Sequence, residues 1–268
     1  VRETAEFYDL AAVQFAGTRE KLAEDVLFVA RKVIGGTGIA AAGAMSVEGV
    51  RVLDLGCGSG RFLVALKTVM VEGQEATKRL KNFHYAGLDI SRKFISANNE
   101  LYKNAVVAGH AVFGVQSFLD FDASVFGGTG QAPCPTFCPT HITAIASFHH
   151  IPSVAFRQEA LARIKSALVP EKGFFLMLNW NLRGNKFSKK YGLEFGDRNI
   201  KNSGDVRIPW KTGTGKKLAD RYYHAFTMPE LTGLAKDAGF KIIEQEYILN
   251  GRPCSAVDGE NIYTLWKA

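Results

Sequence analysis

Short apolar runs alternating with amphipathic, capped segments predict a doubly wound α/β sheet, mostly parallel, with an antiparallel terminal strand. Three observations carry that prediction. A strand-to-helix turn holds three alternate glycines, Gly56, Gly58 and Gly60; a second apolar run ends on an acid, Asp89; and residues 173–178 form the unbroken apolar run that a sheet covered on both faces requires. No internal repeat is visible, and the 268 residues read as a single domain with insertions.

Each element has its own signal. Leu22, Val26, Val29 and Val33 recur at helical spacing after Thr18, and Gly35-Gly36 should stop that helix. Residues 1–36 thus form an N-terminal helical segment. A strand at 51–55 leads to a helix from Arg61, a strand at 83–88 ends on Asp89, and Ser91 caps a helix carrying Phe94 and Leu101. Strands follow at 111–115 and 142–146, separated by a Gly-, Pro- and Cys-rich stretch that reads as a surface insertion. Ser153 caps a helix bearing Phe156, Ala160, Ile164 and Leu168 before the strand at 173–178. From 179 to 226 no clean period appears, and so long a polar, Lys- and Gly-rich stretch inside a compact domain reads as a substrate cap. Thr227-Met228-Pro229-Glu230 is a capping box, Gly239 closes the helix it opens, and strands at 241–248 and 261–266 complete the sheet.

The run Val52-Leu53-Asp54-Leu55-Gly56-Cys57-Gly58-Ser59-Gly60-Arg61 is a cofactor loop. A side chain at those glycines would hold the backbone away from a ligand, and the helix that follows points unpaired N–H groups into the gap. Asp89 ends the next strand, where a carboxylate can accept both hydroxyls of a ribose, so a nucleoside-containing cofactor is expected. Asp54 shapes the loop, and Cys57, Ile90, Ser117, Phe118 and Ala146 complete the expected cofactor contacts at the strand ends.

Other chemistries find less support. The four cysteines, at 57, 134, 138 and 254, show no pairing framework, which fits a reducing compartment. Cys134, Cys138 and His141 lack a second ligand pair, so no metal is expected. No apolar run approaches the roughly 18 residues of a membrane span, and no signal peptide is visible, so cytoplasmic residence is the expectation. The net charge of +7 and basic clusters at 78–81, 183–190 and 211–221, with aromatics beside them, fit either a polyanionic partner or solvated loops.

The pattern Asp54-x-Gly56-x-Gly58-x-Gly60 resembles motif I of the class I S-adenosylmethionine methyltransferases, which implies their Rossmann-like fold and S-adenosyl-L-methionine as cofactor. Other segments are similar to one family, the tRNA wobble-uridine carboxymethyl methyltransferases and their bacterial and archaeal relatives. They are Tyr8-Asp9-Leu10-Ala11-Ala12 with Phe15-Ala16-Gly17-Thr18-Arg19, Ala146-Ser147-Phe148-His149-His150-Ile151, Asp205-Val206-Arg207-Ile208-Pro209-Trp210, and Arg221-Tyr222-Tyr223-His224-Ala225-Phe226. The similarity runs from about residue 8 to 240. Departures are the Glu20-Lys21-Leu22 that replaces the Trp-Pro commonly found after the opening motif, the Gln116-Ser117-Phe118 where an acid commonly meets the adenine, and an insert at 122–141.

The resemblance implies esterification of 5-carboxymethyluridine in the tRNA anticodon loop. A carboxyl group with pKa near 4 is already ionised at neutral pH, so positioning rather than a general base is required. Arg221, Tyr223, His224 and His149 are the expected catalytic donors. Trp180, Arg207, Trp210, Lys211 and Tyr222 are the expected substrate contacts, and Arg19 the contact to the cofactor carboxylate. Packing roles compete: both histidines as caps on backbone carbonyls, the Arg-Tyr-Tyr-His segment as a strut, both tryptophans as core. Eukaryotic members of that family work with a small zinc-containing activator subunit. The alternatives are a small-molecule O-, N- or carboxyl methyltransferase, whose activity would survive removal of RNA, and a binding subunit without methyl transfer.

Overall fold

The computed structural model describes residues 7–9, 22–35, 49–72, 83–122, 138–195, 204–211 and 217–268. Helix α1 (Glu24–Ile34) precedes strand β1 (Arg51–Leu55), helix α2 (Arg61–Glu72), strand β2 (His84–Asp89), helices α3 (Arg92–Leu101) and α4 (Lys103–Val107), and strands β3 (Ala111–Val115) and β4 (His141–Ile145). A 3-10 turn (Phe148–His150), helix α5 (Val154–Ala167), strand β5 (Phe174–Trp180) and helix α6 (Asn185–Tyr191) follow. Strands β6 (Asp205–Lys211) and β7 (Lys217–His224), helix α7 (Met228–Asp237), and strands β8 (Lys241–Leu249), β9 (Arg252–Pro253) and β10 (Asn261–Lys267) end the chain.

The main sheet is ordered β3-β2-β1-β4-β5-β10-β8-β9. Its first five strands are parallel, while β10 runs antiparallel to both β5 and β8 and so lies between them. The chain winds outward from β1 to β3 and then crosses to β4. Ligands of open α/β sheets bind in the crevice at that reversal, outside the carboxyl ends of the strands. Apolar clusters cover both faces: α1, α2 and part of α3 pack on one, α5 and α7 on the other. Every residue of β5 but Trp180 is buried, as its apolar run requires.

The expected helix caps are present: the Ser91, Ser153 and Thr227 side chains accept from the Phe94, Phe156 and Glu230 backbone N–H groups. Part of the 179–226 stretch, in which the sequence shows no clean period, forms α6 and a separate two-stranded antiparallel sheet, β6 with β7. Its period is obscured because the inward positions of β7 are Arg221 and Tyr223 rather than aliphatic residues, and because β6 carries Pro209, a residue type that disfavours a strand reading. Arg19, Cys134, the first basic cluster and the expected start of the N-terminal helix lie outside the described residues.

Candidate active site

One cavity of about 630 Å³ opens at the carboxyl ends of β1, β2, β4 and β5 and extends beneath the β6–β7 sheet. Its first half is the glycine loop. Gly56, Gly58 and Gly60 all have positive φ, at 76°, 51° and 73°, but for different reasons. A Cβ on Gly56 would stand 2.4 Å from Ser147 Cβ, and one on Gly60 would stand 2.6 Å from the Tyr102 ring. At Gly58 it would meet nothing within 4 Å, so that position faces open space in which a ligand can approach the backbone.

The loop is held by fixed partners. Gly56 and Cys57 donate their N–H groups to the Leu88 carbonyl at 2.8 and 2.9 Å, and Asn98 Nδ2 donates to the Gly58 carbonyl at 2.8 Å. Asp89 Oδ2 accepts from the Gly58 N–H and Oδ1 from the Ser91 N–H, both at 2.9 Å. Burial pushes the Asp89 carboxyl up to about 6, against the pull of those two donors. Asp54 is braced across the sheet by Tyr85 Oη at 2.7 Å and Thr143 Oγ1 at 2.9 Å, and burial raises it to about 6 as well. Ile90, Ser117, Phe118 and Ala146 line the same half, together with Gln116, which stands where an acid was expected. Ala146 adopts φ 54°, a conformation that costs a non-glycine residue of order 1–3 kcal/mol and clusters at functional sites.

These residues fit an adenosyl cofactor. Its ribose hydroxyls would meet Asp89, its backbone would cross Gly58, and its base would lie against Ile90 and Phe118.

The second half is built by β7, and the strand pleat divides the Arg-Tyr-Tyr-His segment between two faces. Arg221 and Tyr223 line the cavity; Tyr222 and His224 do not. Arg221 is only 6% exposed, and its guanidinium carbon lies 4.6, 5.1 and 5.6 Å from the ring centres of Trp210, Tyr223 and Phe7. It makes no ion pair among the described residues, and its buried Nε has no hydrogen-bond partner. On the outer face His224 Nδ1 lies 2.6 Å from Asp205 and Nε2 2.7 Å from Glu230, while the fully buried Arg157 meets Glu230 and the Tyr222 hydroxyl. The Tyr222 hydroxyl donates to Asp205 at 2.7 Å. His224 and Tyr222 thus brace the β6–β7 sheet against α7 and α5 rather than facing the cavity.

The other expected residues divide in the same way. Trp210 lines the cavity, whereas Arg207 stands opposite Tyr222 on the exposed face, and the Lys211 side chain lies outside what is described. Trp180 lines the cavity, but the Phe187 and Tyr223 rings stack parallel to it at 4.9 and 5.3 Å and so occupy ring surface that a base would need. His149 is fully buried behind Trp180 and Tyr223, does not line the cavity, and accepts from the Trp180 N–H. Its neighbour His150 lines the cavity instead. Sequence reasoning also passed over Tyr8, Phe187, Lys186, Lys190 and Tyr191 as cavity residues. A signal existed for α6, where lysines and aromatic rings alternate at helical spacing.

Residues 16–245 match the model of a family described as a methyltransferase domain. No curated protein matches the sequence. Similar solved structures include the CcbJ methyltransferase of Streptomyces caelestis, at 15% identity and TM-score 0.60, covering 99% of this chain and 96% of that one. A Haloferax volcanii methyltransferase solved in complex with the Trm112 methyltransferase activator is similar at 16% identity and TM-score 0.57, with 99% and 97% covered. The 1,6-didemethyltoxoflavin-N1-methyltransferase of Burkholderia thailandensis is similar at 14% identity and TM-score 0.58, with 98% and 86% covered. Among the described residues no helix is long and apolar enough to cross a membrane, and no cluster of potential metal ligands occurs.

Proposed function

We propose that this chain, which belongs to the methyltransferase-domain family of class I S-adenosylmethionine-dependent enzymes, esterifies a substrate carboxylate held at Arg221. The substrate in this reading is the 5-carboxymethyl group of a tRNA wobble uridine. One observation carries it: a buried guanidinium in a cavity wall, caged by three aromatic rings, with no anion beside it among the described residues. A buried cation without a counter-charge is costly, and a bound carboxylate supplies that charge through paired, charge-assisted hydrogen bonds.

The cofactor supplies an electrophilic methyl group on a sulfonium. The chain's own residues then do four things. Asp89 and the Gly58 backbone fix the nucleoside; Arg221 orients the carboxylate so that one oxygen lies in line with the methyl; Trp180, Phe187, Tyr223 and Trp210 wall off water; and no side chain needs to take a proton. The ester formed would carry no charge, so product would no longer offset the Arg221 guanidinium and would be held less tightly than the carboxylate.

The basic side of α6, where Lys190 lies beside Tyr191 and Lys186 pairs with Glu260 beside Phe187, supports an RNA substrate through phosphate contacts at Lys190. A small activator subunit belongs to the same reading, by analogy with the Haloferax volcanii complex. The two rings stacked on Trp180 favour a second reading, in which the cavity encloses a small organic acid. The experiment is transfer of labelled methyl to tRNA from cells lacking wobble-uridine esterification, followed by nucleoside mass spectrometry. A methyl-esterified uridine is expected. Label appearing only on small molecules, with transfer unaffected by ribonuclease, selects the second reading.

A further inference from the structure

Residues 7–9 are helical, and Tyr8 brings them to the cavity wall between its two halves. Asp9 Oδ1 accepts from Ser91 Oγ at 2.6 Å and from the Lys93 N–H at 3.2 Å, at the start of α3 and just beyond Asp89. Phe7 stands edge-on to Trp210 and beside the Arg221 guanidinium. Between these anchors Tyr8 Oη lies 2.7 Å from His150 Nε2, and both residues line the cavity.

The proton positions follow from the far side of the imidazole. His150 Nδ1 lies 2.8 Å from the Tyr222 carbonyl oxygen, which only accepts, so Nδ1 carries the hydrogen. Burial holds the ring down to about 4, so it is neutral near pH 7 and Nε2 presents a lone pair. The Tyr8 hydroxyl must then donate to His150.

We propose that Tyr8 is a substrate-contacting residue whose oxygen, with its proton committed to His150, receives a hydrogen bond from an N–H or O–H group of the molecule whose carboxylate Arg221 holds. This assignment rests on the reading of Arg221 as the carboxylate anchor. His150 acts through Tyr8 and is a positioning residue. A wall with a donor at Arg221 and an acceptor at Tyr8 selects a substrate carrying both an anion and a hydrogen-bond donor. The imide N–H of a carboxylated pyrimidine meets that requirement; a simple aliphatic monoacid does not. Sites built to bond a polar group discriminate strongly against analogues that lack it.

The first test needs no substrate. In the 15N imidazole spectrum of the full chain with S-adenosylhomocysteine added, the His150 signals, identified by their loss in His150→Gln, should show a protonated Nδ1 and a bare Nε2. A protonated Nε2 would overturn the proposal, since Tyr8 would then direct its own proton elsewhere. The second test is Tyr8→Phe, which should raise KM for tRNA lacking wobble-uridine esters about tenfold while S-adenosylhomocysteine affinity changes less than about twofold. Adding His150→Gln should cost nothing further, because its effect passes through Tyr8. Parallel loss of S-adenosylhomocysteine affinity, or additive losses in the double variant, contradicts the assignment. If the unmutated chain methylates no tRNA, the wobble-uridine reading falls, and the spectrum alone decides the case of Tyr8.

Discussion

The two halves of the cavity are built by opposite means. The half proposed for the cofactor is local: residues 54–60 and 89–91 supply its loop, its carboxylate and its backbone donors from two adjacent strand ends. The half proposed for the substrate is assembled from residues 8, 150, 180, 187, 210, 221 and 223, scattered along almost the whole described chain. Backbone conformation does most of the work in the first, and side-chain packing in the second. Substitutions should therefore separate cofactor affinity from methyl transfer, and the expected effects can be ranked.

The largest effect is expected from Asp89→Ala. It removes the ribose acceptor and the anchor of the Gly58 and Ser91 N–H groups together, and hydrogen bonds to charged groups contribute about 1.5–3 kcal/mol each. Calorimetry should show S-adenosylhomocysteine affinity falling more than about 100-fold. Arg221→Gln should be its mirror image, with transfer reduced about 100-fold, as for other truncated buried charge contacts, and cofactor affinity kept within about threefold. Equal losses in both measurements would mean that the halves are not separable.

A smaller effect distinguishes two glycines of one loop. Gly58→Ala places a methyl group in the space a ligand would use, so affinity should fall about tenfold for a stability cost of about 1–2 kcal/mol, the price of a left-handed alanine. Gly56→Ala collides with Ser147 and should cost considerably more stability, read as a larger fall in Tm.

Acidity should act on the two states in opposite directions. In the proposed site ribose hydroxyls would donate to ionised Asp89, so cofactor affinity should be full above about pH 7 and fall by at most about tenfold per unit below about 6. The folded Asp89 carboxyl lies above its ordinary value of 3.8, so the unliganded fold gains stability from this group as pH drops from about 6 to 4. Binding titrations and thermal melts across that window check both signs. The smallest effect on transfer is expected from His224→Gln: stability should fall by about 1–3 kcal/mol of lost buried hydrogen bonding, read as a lower Tm, while kcat changes less than about threefold.

The same contrast governs what could be read from the sequence. Gly56, Gly58, Gly60 and Asp89 were legible because a left-handed turn and an acid at a strand end impose residue types at fixed spacing. The parallel strands were legible from their apolar runs. On the substrate side the segment Arg221-Tyr222-Tyr223-His224 was identified, yet a linear reading treats four adjacent donors as one group. Only the knowledge that they lie on a strand splits them into Arg221 and Tyr223 inward, Tyr222 and His224 outward. The exchange of His149 for His150 has a similar origin, because a 3-10 turn sends neighbouring side chains in different directions. The stacking on Trp180 depends on Phe187 and Tyr223, which arrive from two separate elements that no local pattern connects.

The central claim is that a carboxylate at Arg221 receives the methyl group. Methyl esters release their methyl as methanol in mild alkali, whereas N-methyl and ether products retain it, so the most direct measurement is the alkali lability of the label transferred by the unmutated chain and by Arg221→Gln. The account predicts alkali-labile label from the first and about 100-fold less from the second, with S-adenosylhomocysteine bound equally well by both. Alkali-stable label, or undiminished transfer by Arg221→Gln, would contradict it.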